Sequence, residues 1–473
     1  MKIVMFSINP LFPDVVMGGA SKHLQKIAIH LGVMGNKIEV LCPYREDTGP
    51  PFYWHKNVRV FPILPFNMPF PNPYEIPAFK LAQIIQIIAD FLKSADRFYI
   101  HDGELLLPFL YTNTPTVVSL RDNIYPESIL GSFLFQGSSL ITVSKYSRDI
   151  VMSTAGRFFP DLKNHLISVN NGIDLQKFKK TEPENILSFL PVDPKKDIII
   201  LHPHRPETEK GLPQTIEVIN KLVNEYQIKN IKALIPKWLD TSFSVDVRSY
   251  YQDLNEFIIT KGLEENFIFH DWVPQTLIAE YFSLGTLTLG LGSIVEAFGN
   301  SVYESLACQT PAIVSRVAVH RSLMPDSLLP KVDFGDSKSA AAIAVDIIQK
   351  KNGTSSLTMD YLRTHLNQEK QLDAYANAIL NAKKGIPLEF RSQPITKNTR
   401  FTLSPWCYQS THGIFHDFKS TVEKQPHLIS LLEEHDQAFT QSDAIKQNIA
   451  EDVFSQWLEE GYIVPEYHRG FSE

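Results

Sequence analysis

Two glutamates that lie eight residues apart, Glu296 and Glu304, constrain this 473-residue sequence more than any other feature. The small and apolar run LTLGLGS precedes Glu296, and a helical pattern that begins after Gly299 contains Glu304. This order places the first carboxylate in a loop after a strand and the second about one turn inside the next helix. The unpaired N–H groups at the start of such a helix bind anions, for example a diphosphate. Because carboxylates accept hydrogen bonds from hydroxyl groups, the stretch predicts a nucleotide-sugar site.

The residues around the two glutamates, EAFGNSVYESLACQTP, resemble the motif E-x-F-G-x-x-x-x-E-A-x-A-x-G-x-P of the retaining glycosyltransferases of family 4. Ser305 stands where that family has Ala, and Gln309 where it has Gly. The resemblance implies the GT-B fold, with Glu304 binding the ribose and Glu296 binding the sugar hydroxyls. It also implies donor contacts from neighbouring residues and from the end of an earlier predicted strand, namely Phe298, Gly299, Asn300, Ser301 and Val273.

Two basic residues follow the strongly apolar strand pattern Asp197–Leu201. Arg205 and Lys210 keep the spacing of the family motif G-R-x-x-x-x-K-G, although His204 replaces its first glycine. The resemblance implies that both residues bind the donor diphosphate. Fixed cations suit this role, because negative charge accumulates on the departing diphosphate as the glycosidic bond breaks. We therefore predict that Glu296, Arg205 and Lys210 are the catalytic residues.

The first half of the chain carries weaker signals. Gly18 and Gly19 follow a β-branched strand and begin a helix, as the glycine pair near the start of family-4 enzymes does, so we predict that they bind the donor. A tight turn without a ligand is the alternative. Two further predicted strands end in His101 and in Arg121-Asp122. At the second of these ends the family often has a His-Asp pair whose histidine lines the donor sugar, and Arg121 takes the place of that histidine here. We expect these three residues to contact the sugar or the acceptor; a structural role is the alternative for His101.

Strand and helix patterns alternate along most of the chain, which predicts doubly wound parallel sheets. The predicted fold class is therefore α/β. The resemblance makes it GT-B, with two facing Rossmann-like domains, a cleft between them and a small C-terminal α or α+β appendage. The predicted domains are residues 1–185, on the acceptor side, and residues 186–385, which bind the donor and end in a helix that crosses back. Residues 386–473 form an extra module.

The extra module differs from the rest of the chain in charge. Residues 415–473 contain twelve acidic and four basic side chains, and the whole chain has a net charge of −7. Helix patterns cover Pro426–Glu434 and Ser442–Gly461, with one strand near Phe401 and a short strand after Gly461. This order resembles a small winged-helix module that some peptide-modifying enzymes use to hold substrate; a helical appendage is the alternative. Since the family pattern ends before the module, we expect it to be separable from catalysis.

Composition and targeting signals narrow the class of protein. An acidic tail on a nearly neutral body argues against nucleic-acid binding. The N-terminus lacks the features of a signal peptide, and no run is long and apolar enough to span a membrane. The proline-rich stretch Pro62–Pro77 predicts a loop that contacts an acceptor or a lipid surface peripherally, or packs on its own domain. Three scattered cysteines predict reduced thiols in a cytoplasmic protein: Cys42, Cys308 and Cys407.

The function that the resemblance implies is that of a retaining hexosyltransferase. It would move a sugar from a UDP-linked, GDP-linked or similar donor to an unidentified hydroxyl of an acceptor sugar, lipid or peptide. We expect no metal or other cofactor, because Arg205 and Lys210 supply positive charge and no D-x-D motif clearly serves a metal. The alternatives are a GT-B epimerase or phosphorylase, or a degenerate scaffold, which the departures at Arg121, His204 and Gln309 favour.

Overall fold

The computed structural model describes residues 1–14, 18–67, 72–204, 207–237, 245–392 and 394–466, with only the backbone described for 245–248. The chain forms two compact units. The first unit comprises Met1–Asn170, Glu369–His416 and Thr421–Glu473. The second comprises Asn171–Gln368 and the four residues Asp417–Ser420. The predicted domain boundaries stay predictions.

The first unit is built on a sheet of eight strands within the described ranges, in the order β3-β4-β2-β1-β5-β6-β7-β8. All neighbouring strands pair in parallel except β3 and β4, which are antiparallel. The strands are β1 (Lys2–Phe6), β2 (Lys37–Pro43), β3 (Phe52–His55), β4 (Val58–Leu64), β5 (Arg97–Ile100), β6 (Thr116–Leu120), β7 (Ser139–Thr142) and β8 (Leu166–Ser168). The helices are α1 (Gly18–Val33), α2 (Ala78–Leu92), α3 (Pro126–Phe133), α4 (Lys145–Ser153) and α5 (Ala155–Phe158).

Apolar residues cover both faces of this sheet. Successive side chains of a strand point to opposite faces, so Val4 and Phe6 join one buried cluster while Ile3 and Met5 join another. Burial on both faces explains why the strands are continuous apolar runs. Phe66, from the proline-rich stretch, packs in the first of these clusters, whereas Met68 and Phe70 lie outside the described residues.

The second unit contains a sheet of six parallel strands among its described residues, in the order β11-β10-β9-β12-β13-β14. The strands are β9 (Ile198–Leu201), β10 (Ile231–Pro236), β11 (Phe267–His270), β12 (Leu287–Gly290), β13 (Ala312–Ser315) and β14 (Lys331–Val332). The helices are α6 (Leu212–Asn220), α7 (Val245–Thr260), α8 (Ile278–Leu284), α9 (Asn300–Ala307), α10 (Ser337–Lys350) and α11 (Ser356–His365). The parallel, doubly wound sheets predicted for both halves are confirmed.

The strand order of the second sheet changes direction between β9 and β12. Strands β10 and β11 extend the sheet on one side of β9, and the later strands extend it on the other. Ligands of such sheets bind at this switch point, outside the carboxyl ends of the strands. The segments after β9 and β12 contain Lys210 and Glu296, so the fold brings the two predicted catalytic residues to one place.

The C-terminal part of the chain mixes helices and strands. Helix α12 (Gln368–Leu380) packs Tyr375 and Ile379 into the first unit. The apolar pattern of the sequence predicts one amphipathic helix over Met359–Leu380; this prediction was wrong, because Leu366 and Asn367 separate α11 from α12. Likewise, Gln447–Ala450 interrupts the helix predicted over Ser442–Gly461. The remaining elements are β15 (Arg400–Leu403), β16 (Cys407–Ser410), β17 (Gly413–His416), β18 (Thr421–Glu423), α13 (Pro426–Glu434), β19 (Ala438–Thr440), α14 (Gln441–Lys446), α15 (Glu451–Glu459) and β20 (Ile463–Pro465).

These C-terminal strands form two antiparallel sheets of three strands in the described region, β19-β15-β20 and β16-β17-β18. The helix Pro426–Glu434 and the strand near Phe401 occur as predicted, but the hairpins of β16 to β18 were not predicted. No helix in the described ranges combines the length and the apolar character that a membrane span requires.

Candidate active site

A small cavity opens at the switch point of the second sheet. Segments that follow β9, β12 and β13 surround it, together with the start of α9. Charged, aromatic and glycine residues therefore share a small space with apolar ones. The lining residues are His204, Lys210, Gly290, Gly292, Ile294, Glu296, Gly299, Val302, Val317 and His320.

Lys210 and Glu296 form an ion pair in this cavity, with 2.6 Å between Nζ and Oε1. Both side chains are largely buried, with exposed fractions of 14% and 23%. The ion pair depends on close packing of two backbone segments, because Ser293 N and Ile294 N both donate to Glu209 O. Gly292 permits this approach, since a Cβ at position 292 would lie 2.3 Å from the same carbonyl oxygen.

The N-terminus of α9 faces the cavity through Gly299 and Val302. Gly299 adopts a left-handed conformation with φ 77° at the N-cap position, where it offers no side chain to cap the helix. A Cβ at position 299 would lie 2.8 Å from the ring of His320, so both the backbone angle and the contact require glycine. An uncapped helix start beside a cation is well suited to bind a phosphate group.

Two histidines of the cavity were missed as functional residues by the sequence analysis. Burial, reinforced by Lys210 and by the other histidine, lowers the pKa of His204 to about 3. Burial is also the main cause that lowers the pKa of His320 to about 4, although Glu296 opposes the shift. Both rings are therefore neutral at physiological pH and supply hydrogen-bonding groups without charge. The replacement of the motif glycine by His204 was visible in the sequence, but it was treated only as a departure from the family.

The remaining predicted donor residues of the second unit that the structure describes do not line the cavity. Phe298 is buried against Tyr303, with 5.1 Å between ring centroids, and does not line the cavity. Asn300 Oδ1 accepts a hydrogen bond from Asn171, and Ser301 Oγ lies 3.5 Å from Nδ1 of His204. Two further residues lie outside the lining, buried Val273 and half-buried Glu304. Arg205 lies outside the described residues.

The predicted residues of the first unit lie near the carboxyl ends of its strands. Gly18 begins α1 with φ 80° and is exposed, as is Gly19. Asp122 Oδ1 accepts hydrogen bonds from the amides of Ile124 and Tyr125 and so shapes the turn that leads into α3. The roles proposed for these three residues stay predictions.

His101 and Arg121 are engaged in a buried network within the first unit. His101 Nδ1 lies 2.9 Å from the Tyr99 hydroxyl, and its Nε2 lies 3.0 Å from the Ala20 carbonyl oxygen. Since a carbonyl oxygen only accepts, Nε2 carries the proton and Nδ1 accepts from Tyr99. Arg121 donates to the hydroxyl of Tyr375 at 3.1 Å. Burial and the charge of Arg121 hold the pKa of His101 well below its usual range.

Among the described residues, no group of three or more His, Cys, Asp or Glu side chains is placed to hold a metal ion. The expectation that no metal is used stays a prediction.

Residues 188–328 match the family described as Glycosyl transferases group 1. The matched residues include the cavity, with Lys210, Glu296 and the start of α9. No curated protein matches the sequence significantly.

Solved structures similar to this chain support the same fold. Sucrose-phosphate synthase from Thermosynechococcus elongatus has a TM-score of 0.61 at 14% identity, covering 80% of this chain and 97% of that one. Anabaena HepE in complex with UDP and glucose has a TM-score of 0.61 at 18% identity, covering 80% and 99%. The UDP-forming trehalose-phosphate synthase from Burkholderia xenovorans has a TM-score of 0.58 at 12% identity, covering 80% and 99%. The predicted fold class, GT-B with Rossmann-like parallel sheets, is confirmed.

Proposed function

We propose that this protein is a retaining glycosyltransferase of family 4, which transfers a sugar from a nucleoside-diphosphate donor to an acceptor hydroxyl. The observation that carries the proposal is the Lys210–Glu296 ion pair beside the uncapped start of α9. A cation, free helix amides and a carboxylate are the groups that a diphosphate-linked sugar needs within one small cavity.

The donor that we propose to test first is a UDP-linked hexose. Anabaena HepE was solved with UDP and glucose and also with UDP-glucose, and the Burkholderia synthase is described as UDP-forming. Both are distant relatives in sequence, so they guide the choice of ligand for this chain and assign no base. We propose that Val273, which follows β11, lies beside the base.

In the proposed binding mode, separate sets of groups bind the diphosphate, the sugar and the ribose of the donor. Lys210, together with Arg205, binds the diphosphate, and the first amides of α9 bind the same phosphates. Glu296 accepts hydrogen bonds from the sugar hydroxyls, and Glu304 from the ribose. The Lys210 ammonium group has three N–H donors, so its contact with Glu296 is compatible with a second contact to a phosphate oxygen.

The proposed reaction replaces one bond to the anomeric carbon on the face from which the leaving group departs. The bond between that carbon and the diphosphate oxygen breaks, and the electron pair leaves with the nucleoside diphosphate. The acceptor hydroxyl forms the new bond and gives its proton to the leaving phosphate. Lys210 contributes most in the transition state, because negative charge develops on the phosphate at that stage. In this scheme Lys210 and Arg205 balance that charge without a metal.

The cellular location and the partners that we propose are those predicted from the sequence. We propose a cytoplasmic enzyme whose acceptor is a sugar, a lipid or a peptide and whose partners do not include nucleic acid. The chain has 52 acidic and 45 basic side chains, which disfavours binding to a polyanion.

The test is NMR of the products formed from UDP-glucose and GDP-mannose, with water as the first acceptor. Retention predicts that the α-anomer of the free sugar appears before mutarotation, and inversion predicts the β-anomer. Transfer and hydrolysis both release the nucleoside diphosphate. An epimerase instead changes the sugar while it stays attached to the nucleoside diphosphate, so release of the diphosphate distinguishes the two cases. Added inorganic phosphate identifies a phosphorylase through a sugar phosphate product. If no donor binds or reacts, the degenerate-scaffold alternative replaces the proposal.

A further inference from the structure

The C-terminal segment of the chain supplies one residue to the second unit that the donor site has not yet accounted for. Asp417 begins the four-residue turn Asp417–Ser420 between β17 and β18, and this turn belongs to the second unit. Its side chain is fully buried, with an exposed fraction of 0%. A buried carboxylate is costly unless it is paired and hydrogen-bonded, so its partners indicate its role.

The partners of Asp417 lie at the two ends of one short helix. Arg321 donates to both carboxylate oxygens, with 2.6 Å for each of the two contacts. The backbone N–H of Ala318 donates to Oδ1 at 3.2 Å. These residues are the last and the first of the 3₁₀ helix Ala318–Arg321, so one carboxylate holds both of its ends.

This short helix also holds an unusual backbone conformation. Ala318 has φ 47°, in the left-handed region that a residue with a Cβ seldom adopts. Such a conformation persists only where surrounding contacts maintain it, and the bond from Ala318 N to Asp417 is such a contact.

The same helix forms one wall of the cavity. Val317, which precedes it, and His320, within it, both line the cavity. His320 lies against Gly299 at the start of α9, and its Nδ1 lies 3.1 Å from the hydroxyl of Tyr303. A shift of Ala318–Arg321 would therefore move a group that touches the proposed phosphate-binding end of α9.

We infer that Asp417 is a positioning residue for the nucleotide-sugar site: through Arg321 and Ala318 it fixes the cavity wall that contains His320. The inference rests on the proposed function, because it assumes that the cavity binds the donor. It also reverses the expectation that residues 386–473 are separable from catalysis, since removal of that segment removes Asp417. The C-terminal segment thus contributes to donor binding through the Asp417–Ser420 turn.

The chemistry of the pair predicts which substitutions are informative. Arg321 is only 13% exposed on its side chain, so loss of the carboxylate leaves a largely buried cation. Lys331 Nζ donates to the carbonyl oxygen of Arg321 at 3.0 Å, which places a second positive charge close by. Asp417→Asn keeps the shape of the side chain and removes the negative charge, and Asp417→Ala removes both.

A matched control is available in the same unit. Glu280 is another buried carboxylate, which accepts hydrogen bonds from Asn185 and from the amide of Ile186. None of these residues lines the cavity. Glu280→Gln therefore reports what the loss of a buried carboxylate does to the unit in general.

The experiment measures UDP binding by calorimetry, hydrolysis of UDP-glucose and the thermal midpoint on the full chain. We expect Asp417→Asn to weaken UDP binding and to raise KM by about 10- to 100-fold, the size expected for a misplaced wall, with kcat changed much less. Arg321→Gln should give the same loss, and the double variant should be no weaker than either single variant. Glu280→Gln should lower the thermal midpoint at least as much and leave KM unchanged.

Three results would overturn the inference. Unchanged KM and UDP affinity in Asp417→Asn and Asp417→Ala, with normal binding by the wild type, would remove Asp417 from the site and leave the proposed function intact. Equal losses in Asp417→Asn and Glu280→Gln would show a general effect on folding instead of positioning. If the wild type itself binds neither UDP nor GDP, the proposed function fails and the inference fails with it.

Discussion

The carboxyl edges of the two parallel sheets differ in what occupies the switch point of the strand order. In the second unit the segments after β9 and β12 surround a cavity that contains Lys210 and Glu296. In the first unit the order changes between β1 and β5, and the residue that follows β5 is the buried His101. The same topological rule applies to both sheets. The residues that follow the strands therefore differ between the two switch points: an ion pair lines a cavity in the second unit, and a buried histidine follows β5 in the first.

Each of these two regions contains a buried histidine, but the hydrogen bonding of the two rings differs. His101 is bonded through both ring nitrogens, as expected for a structural histidine. His204 Nε2, in contrast, is buried without a hydrogen-bond partner among the described residues, in a ring that lines the cavity. A buried polar atom left without a partner is costly, so its place beside a cavity is consistent with a ligand contact.

The largest predicted effect concerns Lys210, the cation in the cavity of the second unit. Lys210→Ala should lower the turnover of donor about 100- to 1,000-fold, or about 2.7–4 kcal/mol, because a preorganised cation is lost from the transition state. Donor binding should weaken by less. Steady-state kinetics at saturating donor test this, with Lys261→Ala as the control. Lys261 pairs with Glu217 at 3.0 Å in the same unit, and neither residue lines the cavity. Near-normal turnover in Lys210→Ala would exclude Lys210 from the chemistry.

The next effect concerns Glu304. Glu304→Ala should weaken nucleotide binding by about 1.5–3 kcal/mol, since charge-assisted hydrogen bonds to the ribose would be lost, while the fold stays intact. Calorimetry with UDP measures the change, and Glu217→Ala is the matched control. Because Glu304 lies outside the lining of the cavity, unchanged affinity would place the ribose elsewhere.

The third prediction concerns His101 in the first unit. His101→Asn should lower the free energy of unfolding by about 1–3 kcal/mol, because Tyr99 and the Ala20 carbonyl lose their partner. UDP affinity should change little. Denaturant unfolding and calorimetry on the same samples check both statements, with exposed His412→Asn as the control. A tenfold loss of UDP affinity with normal stability would place His101 in the donor site after all.

The smallest effect depends on pH. The pKa of His204 is lowered from 6.5 to about 3, so the folded state keeps the ring neutral where the unfolded chain begins to bind a proton. The stabilising difference is complete above about pH 6.5 and is lost progressively as the pH falls toward 3. Between pH 7.5 and 6.0 the contribution of His204 to this loss should be about 0.8 kcal/mol. His204→Gln should lack that loss in denaturant unfolding, whereas His412→Gln should retain it. An unchanged pH slope in His204→Gln would contradict the lowered pKa.

The sequence predicted the parts of this molecule that depend on local patterns and spacing. Apolar strand runs predicted the parallel sheets, and the motif around Glu296 and Glu304 predicted the loop and the helix that carry them. The family resemblance assigned Lys210 and Glu296 to one donor site, but the ion pair between them was not predicted. The packing of Gly292 against the Glu209 carbonyl, which creates the contact, depends on tertiary structure.

Other features had no local signal. His320 lines the cavity from a 3₁₀ helix, and Asp417 holds that helix from a turn far along the chain, and no family spacing links either residue to Glu296. Interruptions at Asn367 and near Asn448, which has φ 59°, divide helices that appear continuous in the apolar pattern. Strands β16 to β18 are short and carry mixed polar residues, so pairing with neighbours decides their structure more than propensity does.

The most direct test of whether Lys210 binds the diphosphate is a thermodynamic cycle in which the diphosphate of the ligand and the Lys210 side chain are each removed. Calorimetry would compare UDP with uridine, and GDP with guanosine, on the wild type and on Lys210→Ala. If Lys210 binds the diphosphate, the wild type should prefer the diphosphate over the nucleoside. The alanine variant should lose much of that preference and keep its affinity for the nucleoside. A preference for the diphosphate that is equal in both proteins, or no binding of either nucleotide, would contradict the assignment of this cavity as the donor site.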